Sequence, residues 1–245
     1  MIDEFRSWPL AAAGRSFEEL LTQVRFDEVT AGRRGAVLVK VDASGIPIVR
    51  STTSYSAPAQ PFRPIHDALA EEIRERAGFL HGFNNALVEH YTRAYSRMKP
   101  HSDQALDLAE GSTIAVYSCY RDPEKPSRRL MVHPKESGDA FEVPLNHGCV
   151  VAFSLDSNRR FLHAITLRSN APDSDWLGIT FRTSKTFVRF FEGHPTLPSG
   201  ARLTVASEEQ RRELFKLRRR ENEDVGFVYP PIPFTLSESD LLPPA

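Results

Sequence analysis

The chain reads as an α+β protein, mainly β, built as an antiparallel sandwich or barrel with helices before and after it. Three observations predict this. From residue 86 to 190, short apolar and aromatic runs recur at close spacing, separated by clusters of Pro, Gly, Asn, Asp and Ser. The 245 residues include 18 prolines against 13 glycines, a sign of many irregular connections that argues against an all-helical bundle. Helix signatures with capping residues flank the β-rich region on both sides.

The elements follow in order. Residues 16–26 are predicted helical, with Ser16 as N-cap, Glu19 three residues on, and Phe17, Leu20, Leu21 and Val24 as one apolar stripe. Residues 36–41 read as a strand, 42–45 as a turn and 46–50 as the returning strand of a hairpin. Pro58, Pro61, Pro64 and several hydroxyls make 51–64 a loop. Residues 65–78 form a second helix, with Ile65, Leu69 and Ile73 on one side and Gly78 as its stop. Strands are predicted over 86–95, 113–120, 128–133, 141–145, 149–155, 161–167, 176–181 and 186–190. Ser207, with Gln210 three residues later, opens a charged helix to about Asp224; residues 225–245 are Pro-rich and expected to run extended over the surface. The expected division is 1–85 as N-terminal helices with a hairpin or lid packed on the barrel, 86–190 as the core, and 191–245 as an extension.

Hydrophobic residues make up 40% of the chain, enough for one generous domain or one domain with an appendage. With 31 basic and 32 acidic residues the net charge is −1, which gives no global pull toward nucleic acid or anionic lipid. Cys119 and Cys149 sit in apolar, strand-like runs and are expected as free thiols, in keeping with a reducing compartment. The N-terminus has no basic-then-apolar signal pattern, and no apolar run approaches the roughly 18–20 residues that span a bilayer. A cytoplasmic protein is expected, or a nuclear one in a eukaryote.

The chemistry concentrates in three places: His101-Ser102-Asp103, His163 after Phe161-Leu162, and Arg182 closing Gly178-Ile179-Thr180-Phe181. His101 and Asp103 alternate on an extended segment, so they face the same side and can bind one ion together. His163 lies 60 residues beyond Asp103, far enough to return from across a barrel. Two imidazoles and one carboxylate can occupy one face of a ferrous octahedron and leave the other open. Arg182 offers an always-charged fork for a carboxylate. Each residue also has a plain structural role available. The His-x-Asp pair could lie on the surface, His163 could be a bonded core histidine, and Arg182 could form a strand-end ion pair. His133 and His147 read as core and turn residues. The conjunction of order, spacing and β context favours the metal.

Together these residues resemble the Fe(II)/2-oxoglutarate dioxygenases, in particular the AlkB-like branch. The matching positions are Tyr91, His101-Ser102-Asp103, Ile114 to Ser118, Leu145-Asn146-His147-Gly148, Arg159 or Arg160 with His163, and Thr180-Phe181-Arg182. The resemblance implies a double-stranded β-helix, or jelly roll, with iron in its mouth held by His101, Asp103 and His163. It implies 2-oxoglutarate as co-substrate with O2, released as succinate and CO2, and no catalytic group beyond the metal ligands. Arg182 is the expected anchor of the far carboxylate, with Ser184 as a hydroxyl donor and Tyr91 as a further contact. The branch usually carries an Arg six residues before Arg182, where this chain has Trp176, and an Asn two residues before its Tyr, where it has Glu89.

The expected substrate is an alkylated nucleobase or a small molecule, hydroxylated or oxidatively demethylated. Arg50 and Tyr55, in the segment that forms a lid in that branch, are candidate substrate contacts. The basic residues Arg211, Arg212, Lys216, Arg218, Arg219 and Arg220 alternate with glutamates and fit a solvated amphipathic helix better than a phosphate site. A catalytically silent binding module on the same fold is the rival from another class, and a cupin-like metal protein is a third.

Overall fold

A computed structural model describes residues 4–10 and 15–245. Its strands are β1 (Phe5–Pro9), β2 (Asp27–Thr30), β3 (Arg33–Val39), β4 (Ile46–Pro47), β5 (Gln60–Pro61), β6 (Asn85–Tyr91), β7 (Thr113–Tyr120), β8 (Arg128–Pro134), β9 (Phe141–Pro144) and β10 (Cys149–Ser154). They continue as β11 (Phe161–Leu167), β12 (Trp176–Arg182), β13 (Phe187–Phe191), β14 (His194–Thr196), β15 (Thr204–Val205) and β16 (Phe234–Thr235). The helices are α1 (Phe17–Thr22), α2 (Pro64–Ala77), α3 (Leu155–Arg160) and α4 (Glu208–Glu223).

The helix ends follow their caps. Ser16 Oγ accepts the Glu19 N–H, and the Glu19 carboxylate accepts the Ser16 N–H, which closes the box that starts α1. α1 stops at Thr22, and just beyond it the Arg25 N–H turns to Gln60 Oε1 at 3.0 Å rather than to the helix. α2 opens on Pro64, whose missing N–H costs nothing in the first turn, and ends at Gly78 with φ 69°, a left-handed cap that glycine adopts without strain. Its Leu69 and Ile73 are fully buried, each contributing about 1.5–3 kcal/mol.

The larger sheet runs β1-β10-β7-β12-β6-β3-β2, with β5 added beside β3. A three-stranded sheet, β11-β8-β9, faces it. The chain alternates between the two, from β7 to β8 and β9, back to β10, across to β11 and back to β12. This is the jelly roll that the family resemblance implied, and one form of the antiparallel sandwich or barrel that the strand rhythm predicted. One face of the large sheet packs on α1 and α2 through Leu20, Leu69, Ile73, Val88 and Ile179. The other, with Tyr91, Val116, Phe153 and Trp176, meets Leu130, Val132 and Ile165 of the small sheet. Among the described residues both cysteines are free thiols, as expected. No described helix is long and apolar enough to cross a membrane.

Two expectations are corrected. The 36–50 hairpin does not form: only Asp42 and Gly45 close the turn, and β4 pairs with β13 instead. Pro47 cannot donate to a ladder, while the Ile48 N–H reaches Thr186 O at 3.0 Å and continues the pairing with the later strand. The C-terminal segment is not a surface strap. Ile232, Phe234 and Leu236 are buried against Leu214 and Leu217 of α4, and β16 runs parallel to β15.

Candidate metal centre and its cavity

His101 and His163 face each other as an antiparallel bonded pair. The His101 N–H donates to His163 O at 3.0 Å and the His163 N–H to His101 O at 2.7 Å. Residues directly opposite in such a pair project to the same side, so the ring centroids lie 4.7 Å apart. Asp103, two residues along an extended segment, points the same way. His101 Nε2 lies 3.8 Å and His163 Nε2 3.5 Å from Asp103 Oδ1. All three donor atoms fall within 4.8 Å of one another.

Each donor is held from behind. His101 Nδ1 lies 2.9 Å from Lys99 O, a place only a protonated nitrogen can take, so Nε2 turns its lone pair toward Asp103. Asn158 on α3 accepts the Asp103 N–H and donates to Asp103 O, both at 2.7 Å. Arg182 brings Nε and Nη2 to Asp103 Oδ2 at 2.7 and 2.6 Å. The His163 ring rests against Phe153, with centroids 5.2 Å apart.

α4 grips the same loop from the other side. Asn222 Oδ1 accepts the Ser102 N–H at 3.1 Å, Glu221 Oε1 accepts the Ala105 N–H at 2.8 Å, and Arg218 donates to Ser102 O. Glu221 is itself buried and is fixed by Arg218 and by the Tyr229 hydroxyl.

Burial, reinforced by His163 and Arg218, pushes the His101 pKa down to about 3, so its ring is neutral. Burial opposes the charge of Asp103, yet Arg182, and after it His163 and His101, hold its carboxyl well below the usual range. An ionised carboxylate beside a neutral imidazole with its lone pair turned inward, and a second imidazole facing them, is a donor set that suits a divalent transition metal. These residues fit a ferrous ion.

The triad opens on a cavity of about 590 Å³. Val116, Leu130, Phe153 and Ile165 make its apolar side, and Arg33, Glu89 and Tyr55 line a polar side. Arg33 is bound to Glu89 at 2.6 Å. Ser237 and Asp240, from the C-terminal segment, also reach the cavity. Sequence reasoning missed Asn158, Asn222, Glu221 and the Arg33–Glu89 pair, because nothing in the local pattern of a polar residue names a partner 55 or 120 positions away.

The remaining candidates fall in different places. Arg182 lines the cavity, with two of its nitrogens engaged by Asp103. Ser184 does not reach the cavity: its hydroxyl donates to Ile48 O at 2.5 Å and accepts the Thr186 N–H at 3.1 Å. Tyr91 is fully buried behind the cavity wall, against Trp176 and Tyr95. Arg50 borders the cavity, but its guanidinium is locked to Asp107 at 2.7 Å and to the carbonyls of Ile232 and Phe234. Tyr55 lines the cavity, and Gly35 makes room for its ring, since a Cβ there would lie 2.8 Å from Tyr55 Cε1. Trp176 folds over Gly178, where a Cβ would lie 2.0 Å from Cη2 of the indole.

A jelly roll that brings two imidazoles and a carboxylate together at a cavity wall can hold one non-haem metal ion. Residues 39–203, about two thirds of the chain, match the family model described as the 2OG-Fe(II) oxygenase superfamily, and the chain belongs to that family. It is accordingly an oxygenase that uses Fe(II), 2-oxoglutarate and O2. A solved structure described as "The structure of OsALKBH1" is similar at 16% identity and a TM-score of 0.43, over 62% of this chain and 78% of that one. No curated protein matches the sequence.

Proposed function

We propose that the protein is an AlkB-like dioxygenase in which His101, Asp103 and His163 hold the ferrous ion. Its substrate is a small polar organic molecule, at most the size of one modified nucleobase. The convergence of the three donors at the wall of a cavity of about 590 Å³ carries this proposal. That volume accommodates a five-carbon diacid and one further molecule of modest size.

When bound, the ferrous ion and 2-oxoglutarate together supply the oxidising power, with release of succinate and CO2. The chain's own residues position and exclude. Lys99 O keeps His101 in the tautomer that leaves Nε2 free, and Asn158 fixes the backbone of Asp103. Arg182 orients the Asp103 carboxylate, in place of the role as far-carboxylate anchor that the resemblance implied. Leu130, Phe153 and Ile165 keep the reacting region apolar, so water is excluded from the C–H bond under attack. The exposed Arg97 and Lys99 border the cavity and favour an anionic substrate group at its rim. Hydroxylation of an N-methyl carbon gives a hemiaminal that collapses with loss of formaldehyde; any other carbon yields a stable alcohol. A net charge of −1 supplies no further attraction to a nucleic-acid strand.

The test is formation of succinate from 2-oxoglutarate with Fe(II) and ascorbate, first alone and then with methylated nucleosides, short methylated oligonucleotides and polar metabolites. Substrate-stimulated succinate that disappears in a folded His101→Ala variant is the expected result. If wild type and variant give the same signal with every compound, the proposal fails.

A further inference from the structure

Four interior arginines each have a carboxylate of their own: Arg33 with Glu89, Arg50 with Asp107, Arg182 with Asp103 and Arg218 with Glu221. Arg128 does not. It is 1% exposed, and among the described residues no carboxylate forms an ion pair with it. Its Nη2 donates to Thr92 O at 2.9 Å and its guanidinium lies 5.0 Å from the Tyr91 ring centre, but Nε and Nη1 are buried with no acceptor. Asp175, whose field reaches it, is bonded to His90 and Arg121. Close by, the indole N–H of Trp176, packed against Tyr91, also has no acceptor. Buried donors of this kind are rare in folded proteins, and a buried cation without a counter-charge is rarer.

The strand geometry places that gap within reach of the metal site. Arg128, Leu130 and Val132 alternate on β8 and so face the barrel interior together, and Leu130 lines the cavity. Val132 is the ladder partner of His163, and Arg128 that of Leu167. The separation along the strand is therefore roughly 13 Å, spanned by an arginine side chain from one end and a metal-bound diacid from the other. Tyr95, half-buried and set edge-on to Tyr91 with ring centroids 4.6 Å apart, lines the cavity next to the ring on which the guanidinium rests.

We propose that Arg128 is the anchor for the far carboxylate of the 2-oxo diacid, the role left open by Trp176 and by the engagement of Arg182 with Asp103. This rests on the proposed iron site and deepens it.

The test uses the full chain loaded with Mn(II), without turnover. Melting temperature and calorimetric affinity are measured with 2-oxoglutarate and with 2-oxopentanoate, which has the same carbon chain but one carboxylate. Wild type is expected to bind the diacid more tightly. Arg128→Met should weaken diacid binding by about 10- to 100-fold and leave the monoacid nearly unchanged. Arg128→Lys, which keeps the charge, should recover part of the preference. Metal affinity should be the same in all three, which separates anchoring from loss of the site. If Arg128→Met keeps the preference, or if Arg33→Met removes it instead, the assignment of Arg128 is wrong while the iron site stands. If wild type binds neither acid in the presence of metal, both fall together.

Discussion

Arg50 joins three distant parts of the chain, and its removal has a calculable effect. Its Nε and Nη2 bond both oxygens of Asp107, which is 0% exposed, and its Nη1 donates to two carbonyls of the C-terminal segment. Arg50→Met leaves the buried Asp107 without its counter-charge, with the backbone N–H of residue 50 still donating to it, at a cost of about 3–5 kcal/mol. In a domain of this size 1 kcal/mol lowers the melting temperature by about 2–4 °C, so a drop of roughly 6–20 °C is expected. The double variant Arg50→Met/Asp107→Leu should recover most of it, because apolar groups of similar volume replace a buried pair at little cost. Melting is followed by circular dichroism, and succinate formation is measured well below the transition. Turnover per folded molecule should stay within about twofold of wild type if Arg50 is a structural clasp. A variant that melts like wild type yet loses substrate-stimulated turnover would show that Arg50 touches substrate, and would refute the clasp.

Three further outcomes are expected. Asn222→Ala removes the acceptor of the Ser102 N–H and should weaken Mn(II) binding about 10-fold, while Asn222→Asp, which keeps an acceptor, restores it; calorimetry on the metal-free protein checks both. Gly178→Ala should destabilise by at least about 1–3 kcal/mol, since the new methyl collides with the fully buried Trp176, and Gly178→Ala/Trp176→Leu should regain part of that in denaturant melts. His66 is buried at the start of α2, accepts the Arg63 N–H on Nδ1, and has its pKa lowered by burial to about 4. The unfolded chain protonates it first, so stability falls as pH drops from about 6.5 toward 4. The loss is on the order of 2 kcal/mol by pH 5, and His66→Gln should flatten that part of the urea-midpoint profile.

Much of the fold was legible because the strands of the core carry their own punctuation. Residues 113–120 and 161–167 were bounded correctly by Gly, Asn, Asp and Ser clusters, and Ser16–Glu19 and Ser207–Gln210 announced two helices through side chains that bond their own backbone. β1 and β2 left no such mark, because each is a short, mostly exposed strand whose place depends on a distant neighbour. Pairing was the harder question. Nothing local says that 46–47 prefers 187–188 to the strand just before it. At the site, the alternation of His101 and Asp103 could be read directly, and the structure places His163 opposite them. Arg182 and Arg50 were legible as charged residues near the chemistry, but their partners, Asp103 and Asp107, lie 79 and 57 positions away. The tail was misjudged for the same reason: its prolines speak for an extended backbone, while its burial follows from the apolar face of α4.

The grip of Asn222, Glu221 and Arg218 on residues 102–105 sets an order of events during synthesis. The last of the three donors is translated at position 163, yet the loop bearing the first two gains its bonds to α4 only once residue 222 has left the ribosome. A nascent chain arrested in between exposes two histidines and an aspartate without the helix that fixes them. Retention of a metal ion is therefore expected to depend on α4, and a chain truncated before residue 208 should exchange its metal faster than one that carries the helix.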